Sequence, residues 1–232
     1  LAIAGGLHQA VENDQLLLEY QPQVDLRSRE IVGVEALVRW RHPELGLLLP
    51  EEFVRIAEES GLIALVGDWV LRHACRQLSQ WRAEGHPDLR LAVNLSAEQF
   101  CRPGLANSVL HVVQECGLPT VALELEITES TLMMQNPENS AALEHLAATG
   151  IQFSIDDFGT GYSSLAYLQR FPIDTIKIDR SFVDGVVRNQ NDAATVTAII
   201  AMAGNLKLHV VAEGVETAEQ AEFLRTVGCL EA

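Results

Sequence analysis

The chain has 232 residues, of which 48% are apolar, so it has ample material for a buried core and is not expected to be disordered. Its 32 acidic residues outnumber the 16 basic ones, and the formal net charge of −16 disfavours polymeric nucleic acid or an anionic membrane as a partner. No apolar run approaches the length of about 18 residues that a membrane-spanning helix needs. The four cysteines show no metal-ligand or disulfide spacing, which is typical of reduced thiols in the cytoplasm.

Hydrophobic periodicity predicts the elements in chain order. An amphipathic helix is predicted at Leu1–Asn13, and because the chain starts within it, we expect a domain cut from a longer protein. Strands are predicted at Leu17–Val24, Ile31–Arg39, Leu89–Leu95, Val121–Ile127, Ile151–Asp156, Thr175–Asp179 and Leu208–Glu213. Helices are predicted at Pro50–Ser60, Ile63–Glu84, Leu105–Cys116, Glu138–Ala148, Ser163–Gln169, Asp192–Gly204 and Thr217–Val227.

The order of these elements predicts an α/β barrel in a single domain over residues 1–232. Only Asp25–Glu30 separates the first two strands, so they should form an antiparallel hairpin. The later alternation of strand and helix predicts right-handed units and a mostly parallel sheet. A parallel barrel normally has eight strands, whereas the sequence shows seven before it ends at Ala232. We therefore expect the last strand to lie outside this sequence.

Polar side chains close one predicted strand after another. In parallel α/β barrels the reactive groups lie where strands end and loops begin, at one face. Because side chains alternate along a strand, Glu124 and Glu126 share one face, as do Lys177 and Asp179. Any one of these residues is most simply a solvated strand end, but their repetition at six positions predicts a functional cluster. The strand-end residues are Asn94, Glu126, Asp156, Asp157, Asp179 and Glu213.

Oxygen ligands of this kind suit Mg²⁺ or Mn²⁺ better than zinc. Two such ions could activate a water and stabilise charge on an attacked phosphate, while Lys177 orients the water or steadies the anion. The glycine-bearing loop from Asp156 to Leu165 matches neither common phosphate-binding fingerprint, so by itself it is a weak signal. The predicted ligands are Glu35, Asn94, Glu126 and Asp156 for one ion, and Asp157 and Glu213 for a second, with Asp156 bridging.

Several motifs together resemble one known family. The sequence EALVRW at Glu35–Trp40 is similar to the motif that names the EAL family. The resemblance covers essentially the whole chain, in the family's order. The accompanying motifs are YQPQVDL at Tyr20–Leu26, NLS at Asn94–Ser96, ELEITES at Glu124–Ser130, DDFGTGYSSL at Asp156–Leu165, IKIDRSFV at Ile176–Val183 and VAEGVET at Val211–Thr217.

The resemblance implies a TIM-like (β/α)8 barrel with an antiparallel first strand, which hydrolyses cyclic di-GMP to linear pGpG in bacterial signalling. It implies the metal ligands given above, with Glu213 alternatively acting as the general base. It also implies a homodimer formed through the loop and helix after Asp157, and an upstream GGDEF or sensory domain; the cysteines indicate a cytoplasmic location. By motif, the catalytic residues would be Glu35, Lys177 and Glu213. The residues that contact the substrate would be Gln21, Arg39 and Asp179. Glu129 would anchor the Asp157–Ser164 loop, and Glu216 would give the site further support.

Two other interpretations stand beside this one. A degenerate EAL domain would bind cyclic di-GMP as a sensor, or dock a partner, without cleaving; the motif acids present here are intact, which favours the enzyme. An unrelated Mg²⁺-dependent barrel, such as an enolase-like isomerase, has no motif support. One departure from the family is that Leu230 stands where an acidic residue is usual. The family's next strand opens with a glutamine that helps to bind substrate, and it would lie beyond Ala232.

Overall fold

The computed structural model describes residues 2–134, 136–160, 168 and 170–232. The seven predicted strands are confirmed to within a few residues, and the short β3 was not predicted because three residues carry no periodic signal. The strands in this part of the chain are β1 (Leu16–Val24), β2 (Ile31–His42), β3 (Gly46–Leu48), β4 (Arg90–Asn94), β5 (Leu123–Thr128), β6 (Gln152–Phe158), β7 (Thr175–Ile178) and β8 (His209–Ala212).

Helices alternate with the strands, and the side chain of the residue before the first turn caps the N-terminus of most of them. Ser96, Thr128, Asp179 and Thr217 each accept a backbone N–H at the start of a helix. The predicted helix at 163–169 lies largely outside the described residues. The helices are α1 (Ala2–Glu12), α2 (Pro50–Glu59), α3 (Ile63–Ala83), α4 (Ala97–Phe100), α5 (Leu105–Glu115), α6 (Glu129–Met133), α7 (Pro137–Ala148), α8 (Arg180–Val183), α9 (Gln190–Leu206) and α10 (Ala218–Val227).

The strands form one curled sheet in the order β1-β2-β4-β5-β6-β7-β8, with β3 paired to the outer part of β2. β1 runs antiparallel to β2 and places Gln21 opposite Glu35, as the short connection predicts. From β2 onwards the neighbours are parallel. All the parallel strands therefore end at the same end of the barrel, where their terminal side chains meet.

The last three residues of the chain lie between β8 and β1, in the place of an eighth barrel strand. Ala212 N donates to Glu231 O at 3.0 Å on one side. On the other side Val24 N donates to Ala232 O at 2.7 Å, and Leu26 N to Leu230 O at 2.8 Å. The sequence left these residues unassigned because three residues after a helix show no alternation. Their backbone bonds join β8 to β1 within the TIM-like barrel that was predicted. The expectation that the last full strand lies outside this sequence stays a prediction.

The core fills the space between the sheet and its helices. Trp40, Phe53, Phe100 and Phe153 are almost completely buried there. The first helix belongs to this packing: a Cβ on Gly6 would lie 3.1 Å from the Trp40 ring, so α1 rests directly against β2. No helix in the described part of the chain has the length and apolar character that crossing a bilayer requires.

Candidate active site

Charged side chains and one amide, from six neighbouring strands, converge at the mouth of the barrel. Because these strands pair in parallel register, their inward-facing residues near the carboxyl ends come close together. Asn94 Nδ2 donates to Glu35 Oε1 at 2.8 Å, which joins the second strand to the fourth. We refer to five of these residues as the carboxylate cluster: Glu35, Glu126, Asp156, Asp157 and Glu213.

Lys177 lies at the centre of the carboxylate cluster, and its side chain is only 2% exposed. Burial lowers the pKa of Lys177, but four neighbouring carboxylates outweigh burial and hold that pKa well above its usual range. The side chain is therefore an ammonium ion at neutral pH. Its Nζ lies 2.7 Å from Glu213 Oε1, 2.8 Å from Glu126 Oε2, 3.1 Å from Glu35 Oε2 and 3.3 Å from Asp156 Oδ1.

Glu126 is the most deeply buried acid of the cluster, with a side chain that is 0% exposed. Burial raises the pKa of its carboxyl group well above the ordinary value, and Glu35 and Asp156 add to this against the opposing effect of Lys177. Its Oε1 is buried and has no hydrogen-bond partner among the described residues. A buried carboxylate oxygen without a partner is costly, and a cation would supply the missing partner.

Asp156 and Asp157 are consecutive, yet both reach the cluster. In a regular strand they would point to opposite faces. The pairing of β6 with β7 is irregular between Ile155 and Phe158, and Asp157 has a left-handed φ of 55°. One oxygen each from Asp156, Asp157 and Glu213 consequently lie within 4.8 Å of one another. Burial, then Asp156, raises the pKa of Asp157, so the arrangement concentrates negative charge.

Glu213 follows β8 directly and extends its pairing by one residue, because Glu213 N donates to Ile178 O at 3.0 Å. Burial, against the opposing charge of Lys177, raises the pKa of its carboxyl group to about 7. A carboxyl group with such a pKa can exchange a proton with water near neutral pH.

The cluster fits divalent metal ions in both charge and ligand type. Five carboxylates against one ammonium ion leave a formal charge of −4, which two divalent cations neutralise. The ligands are carboxylate oxygens with one amide, as hard cations prefer. Glu126 Oε1, buried without a hydrogen-bond partner among the described residues, is an oxygen that such an ion would bind. The geometry therefore supports a site for hard divalent cations at this acidic cluster.

Comparison with known proteins identifies the family. The sequence model of the EAL domain family matches residues 5–232. The chain belongs to the EAL domain family. It is 48% identical over 229 residues to the bifunctional diguanylate cyclase/cyclic di-GMP phosphodiesterase MucR of Pseudomonas aeruginosa, covering 99% of this chain and 33% of that protein. It is 50% identical over 223 residues to the cyclic di-GMP phosphodiesterase NbdA of the same organism, covering 96% of this chain and 28% of that protein.

A solved structure supports the same assignment. The complex of the PaMucR phosphodiesterase with c-di-GMP has a TM-score of 0.94 at 48% identity, and the match covers 100% of this chain and 94% of that one. This EAL domain spans about a third of the length of the curated relatives that it matches.

The residues predicted to contact substrate differ in what they touch in the structure. Gln21 lines a cavity of about 360 Å³ beside β1 and β8 that also borders Glu35, Lys177 and Glu213. Arg39 is mostly buried and pairs with Glu19, its Nε lying 2.8 Å from Glu19 Oε2. Glu19 was not predicted as that partner, because cross-strand pairs depend on the strand register.

Three further predicted residues lie on the loops around the mouth. Asp179 caps α8 by accepting the backbone N–H of Ser181 at 3.1 Å. Glu129 begins α6, while much of the loop that it was predicted to anchor, 161–167, lies outside the described residues. Glu216 is held by Arg180, whose Nη2 lies 2.7 Å from Glu216 Oε1. Arg180 was overlooked in the sequence, although its place directly after the strand-end Asp179 was a usable signal.

Proposed function

We propose that this EAL domain hydrolyses cyclic di-GMP to linear pGpG, a reaction that lowers the messenger level in bacterial signalling. The observation that carries the proposal is the convergence of five carboxylates and one lysine at the mouth of the barrel. Two relatives of about half-identical sequence carry the name cyclic di-GMP phosphodiesterase, which supports the substrate. The similar PaMucR structure is described as a c-di-GMP complex, which supports binding at this fold.

We assign the carboxylate cluster to two divalent ions, Mg²⁺ or Mn²⁺. Such ions supply a lower pKa for bound water and neutralise charge on the phosphate. Glu126 supports this assignment most directly, because its Oε1 is buried without a partner among the described residues. The proposed ligands are Glu35, Asn94, Glu126 and Asp156 for one ion and Asp157 and Glu213 for the other, with Asp156 shared.

The chemistry assigned to the protein's own residues is proton transfer and orientation. A water attacks phosphorus, a P–O bond forms, and the bond from phosphorus to the ribose 3′-oxygen breaks. Glu213, with a pKa of about 7, accepts the proton of the attacking water. Lys177, 2.7 Å from Glu213, orients that carboxylate and steadies the negative charge of the phosphate. The departing 3′-oxygen takes a proton from solvent and becomes a hydroxyl group.

Two cavities border residues of the predicted site and could receive the dinucleotide. The cavity beside Gln21 has a volume of about 360 Å³. A second, mainly apolar cavity of about 640 Å³ is lined by residues that include Leu37, Asn94 and Thr128. Apolar walls with a few polar groups suit a nucleobase. We assign Gln21, Arg39 and Asp179 to substrate contact, and Glu129 and Glu216 to support of the surrounding loops.

The remaining features of the proposal concern the parent protein. We infer one EAL domain over residues 1–232, joined to an upstream GGDEF or sensory domain, because the curated relatives are about three times as long. We also infer a cytoplasmic location, which the four free cysteines support. A homodimer formed through the loop and helix after Asp157 is part of the proposal, and that surface lies largely outside the described residues. Sedimentation velocity tests it.

The function is tested by incubating the protein with cyclic di-GMP and Mg²⁺ or Mn²⁺ and separating the products by chromatography. We expect pGpG, and none when a chelator is present. Glu213→Gln should lower kcat by roughly 10²-fold or more while cyclic di-GMP binding stays within about tenfold. The matched control is Glu222→Gln, an exposed acid paired with Arg225, which should leave both unchanged. Tight binding without any product in the wild type would instead favour the sensor interpretation.

A further inference from the structure

The path of the chain after Glu213 determines where that carboxylate points. The backbone pairing of β8 ends at Glu213, and Gly214 then turns the chain away with a left-handed φ of 70°. We refer to residues 213–217 as the Glu213 loop. Because Glu213 is both the last paired residue and the first of this loop, its side-chain direction depends on what holds the loop.

Arg180 is one of the residues that hold it. The aliphatic part of Arg180 lies flat on Gly214, so closely that a Cβ there would lie 2.9 Å from both Arg180 Cβ and Cδ and still nearer to Cγ. Beyond this contact the guanidinium reaches Glu216, with Nη2 2.7 Å from Oε1. Arg180 is three residues after Lys177 in the chain, so it links the Glu213 loop to the strand that carries Lys177.

Gln220 makes a second, independent link. Its side chain is buried, and its Oε1 accepts the backbone N–H of Glu216 at 2.8 Å and that of Thr217 at 2.9 Å. Its Nε2 donates to Val183 O at 3.3 Å, at the end of α8. One amide group therefore joins the end of the Glu213 loop to α8. The loop is tied to the same short helix at both of that helix's ends.

We propose that Arg180 and Gln220 are positioning residues that hold the Glu213 loop against α8 and thereby keep the Glu213 carboxylate in place beside Lys177. The inference rests on the proposed function. The Arg180–Glu216 pair is 58% and 61% exposed, so its effect on global stability is small. Its effect on geometry is larger, because a displacement of about 1 Å at a reacting group can cost roughly 10²-fold in rate.

The experiment uses one variant for each link. Arg180→Met keeps the packing on Gly214 and removes the ion pair with Glu216, together with a longer one of 3.5 Å to Asp184 within α8. Gln220→Glu keeps an acceptor for the two loop amides and removes the donor to Val183 O. The matched control is Arg225→Met, because Arg225 pairs with Glu222 at 2.6 Å with exposures of 50% and 62%, remote from the cluster. Arg180→Lys tests whether the charge alone restores function.

We expect Arg180→Met and Gln220→Glu to lower kcat by roughly tenfold with KM for cyclic di-GMP changed less than about threefold. Arg180→Lys should recover part of the loss, and Arg225→Met should match the wild type. Amide hydrogen exchange gives a readout that does not need activity. Exchange at Gly214 and Val215 should become faster in both loop variants, and the melting temperature of Arg180→Met should stay unchanged because its ion pairs are exposed.

The two proposals fail in different ways. If the wild type hydrolyses cyclic di-GMP while both loop variants behave like Arg225→Met, the positioning inference is wrong and the function stands. If the wild type produces no pGpG, the function is wrong, and the exchange measurement still decides the positioning inference. Faster exchange confined to the Glu213 loop supports it, and unchanged exchange overturns it.

Discussion

Replacing Lys177 by methionine removes the charge at the centre of the carboxylate cluster and keeps a side chain of similar length. Its Nζ lies between 2.7 Å and 3.3 Å from four carboxylates, and the side chain is 2% exposed, so water cannot take over these contacts. Removing one partner from a buried ion pair costs about 3–5 kcal/mol. We expect Lys177→Met to lower the free energy of unfolding by that amount at pH 8 with a chelator present.

The loss should depend on pH and on metal. The pKa of Glu126 is already raised above its unfolded value of 4.5, and losing Lys177 raises it further. An acid whose pKa is higher in the folded state than in the unfolded state destabilises the fold when it is ionised. This destabilisation is absent below the unfolded pKa, grows as the pH rises and is complete above the folded pKa. The loss should therefore be smaller at pH 5 than at pH 8. Adding Mg²⁺ should reduce it at pH 8, because the ion replaces the lost charge.

Urea denaturation followed by circular dichroism at both pH values, with chelator or with Mg²⁺, measures these differences. Lys207 is exposed and is the one other lysine of the sequence, which makes Lys207→Met the matched control. It should stay within about 0.5 kcal/mol of the wild type. Equal losses in the two variants, or a Lys177→Met loss that is the same at pH 5 and pH 8, would refute the reasoning.

Two further predictions follow from packing and burial. Gly67→Ala should lower the free energy of unfolding by about 1–3 kcal/mol, because a Cβ there overlaps the Gln99 amide. Gly204→Ala, in open space on α9, should raise the free energy of unfolding by about 0.5–1 kcal/mol in the same urea titration. Burial raises the pKa of the Cys75 thiol to about 12. Iodoacetamide at pH 8 should therefore modify the exposed Cys101 well before Cys75, and equal rates in peptide mass mapping would contradict this.

Much of the fold could be predicted because it depends on patterns that extend over many residues. Alternating branched side chains predicted the seven longer strands, and the short Asp25–Glu30 connection predicted the antiparallel hairpin. The short helices α4, α6 and α8 were not predicted, since four or five residues carry too little periodicity. The closure by Leu230–Ala232 depends on long-range backbone bonds to β1, which no local pattern contains.

The sequence allowed us to predict which residues come together at the candidate site, but not how their side chains are arranged there. The strand-end rule placed Glu126, Asp156, Lys177 and Glu213 at one face, where the structure brings them together. The left-handed backbone at Asp157 comes from a local irregularity in β6, and a regular alternation would have sent that side chain away. The four-fold contact of Lys177 Nζ likewise depends on the curvature of the whole barrel, which brings β2 opposite β7.

Three features of the cluster destabilise the folded state, and binding of a divalent cation would offset much of their cost. A non-glycine residue in the left-handed region, as at Asp157, costs about 1–3 kcal/mol, and a buried oxygen without a partner, as in Glu126, costs a similar amount. The raised pKa of Glu213 records a third cost, that of burying a further acid beside the others. None of these costs improves the packing of the barrel. A divalent cation would give Glu126 its missing partner, reduce the repulsion between Asp156 and Asp157 and favour the charged form of Glu213. Backbone strain and unpaired buried groups persist in folded proteins mainly at functional sites. Their occurrence together here supports a cation site whose ligands are already arranged before the ion binds.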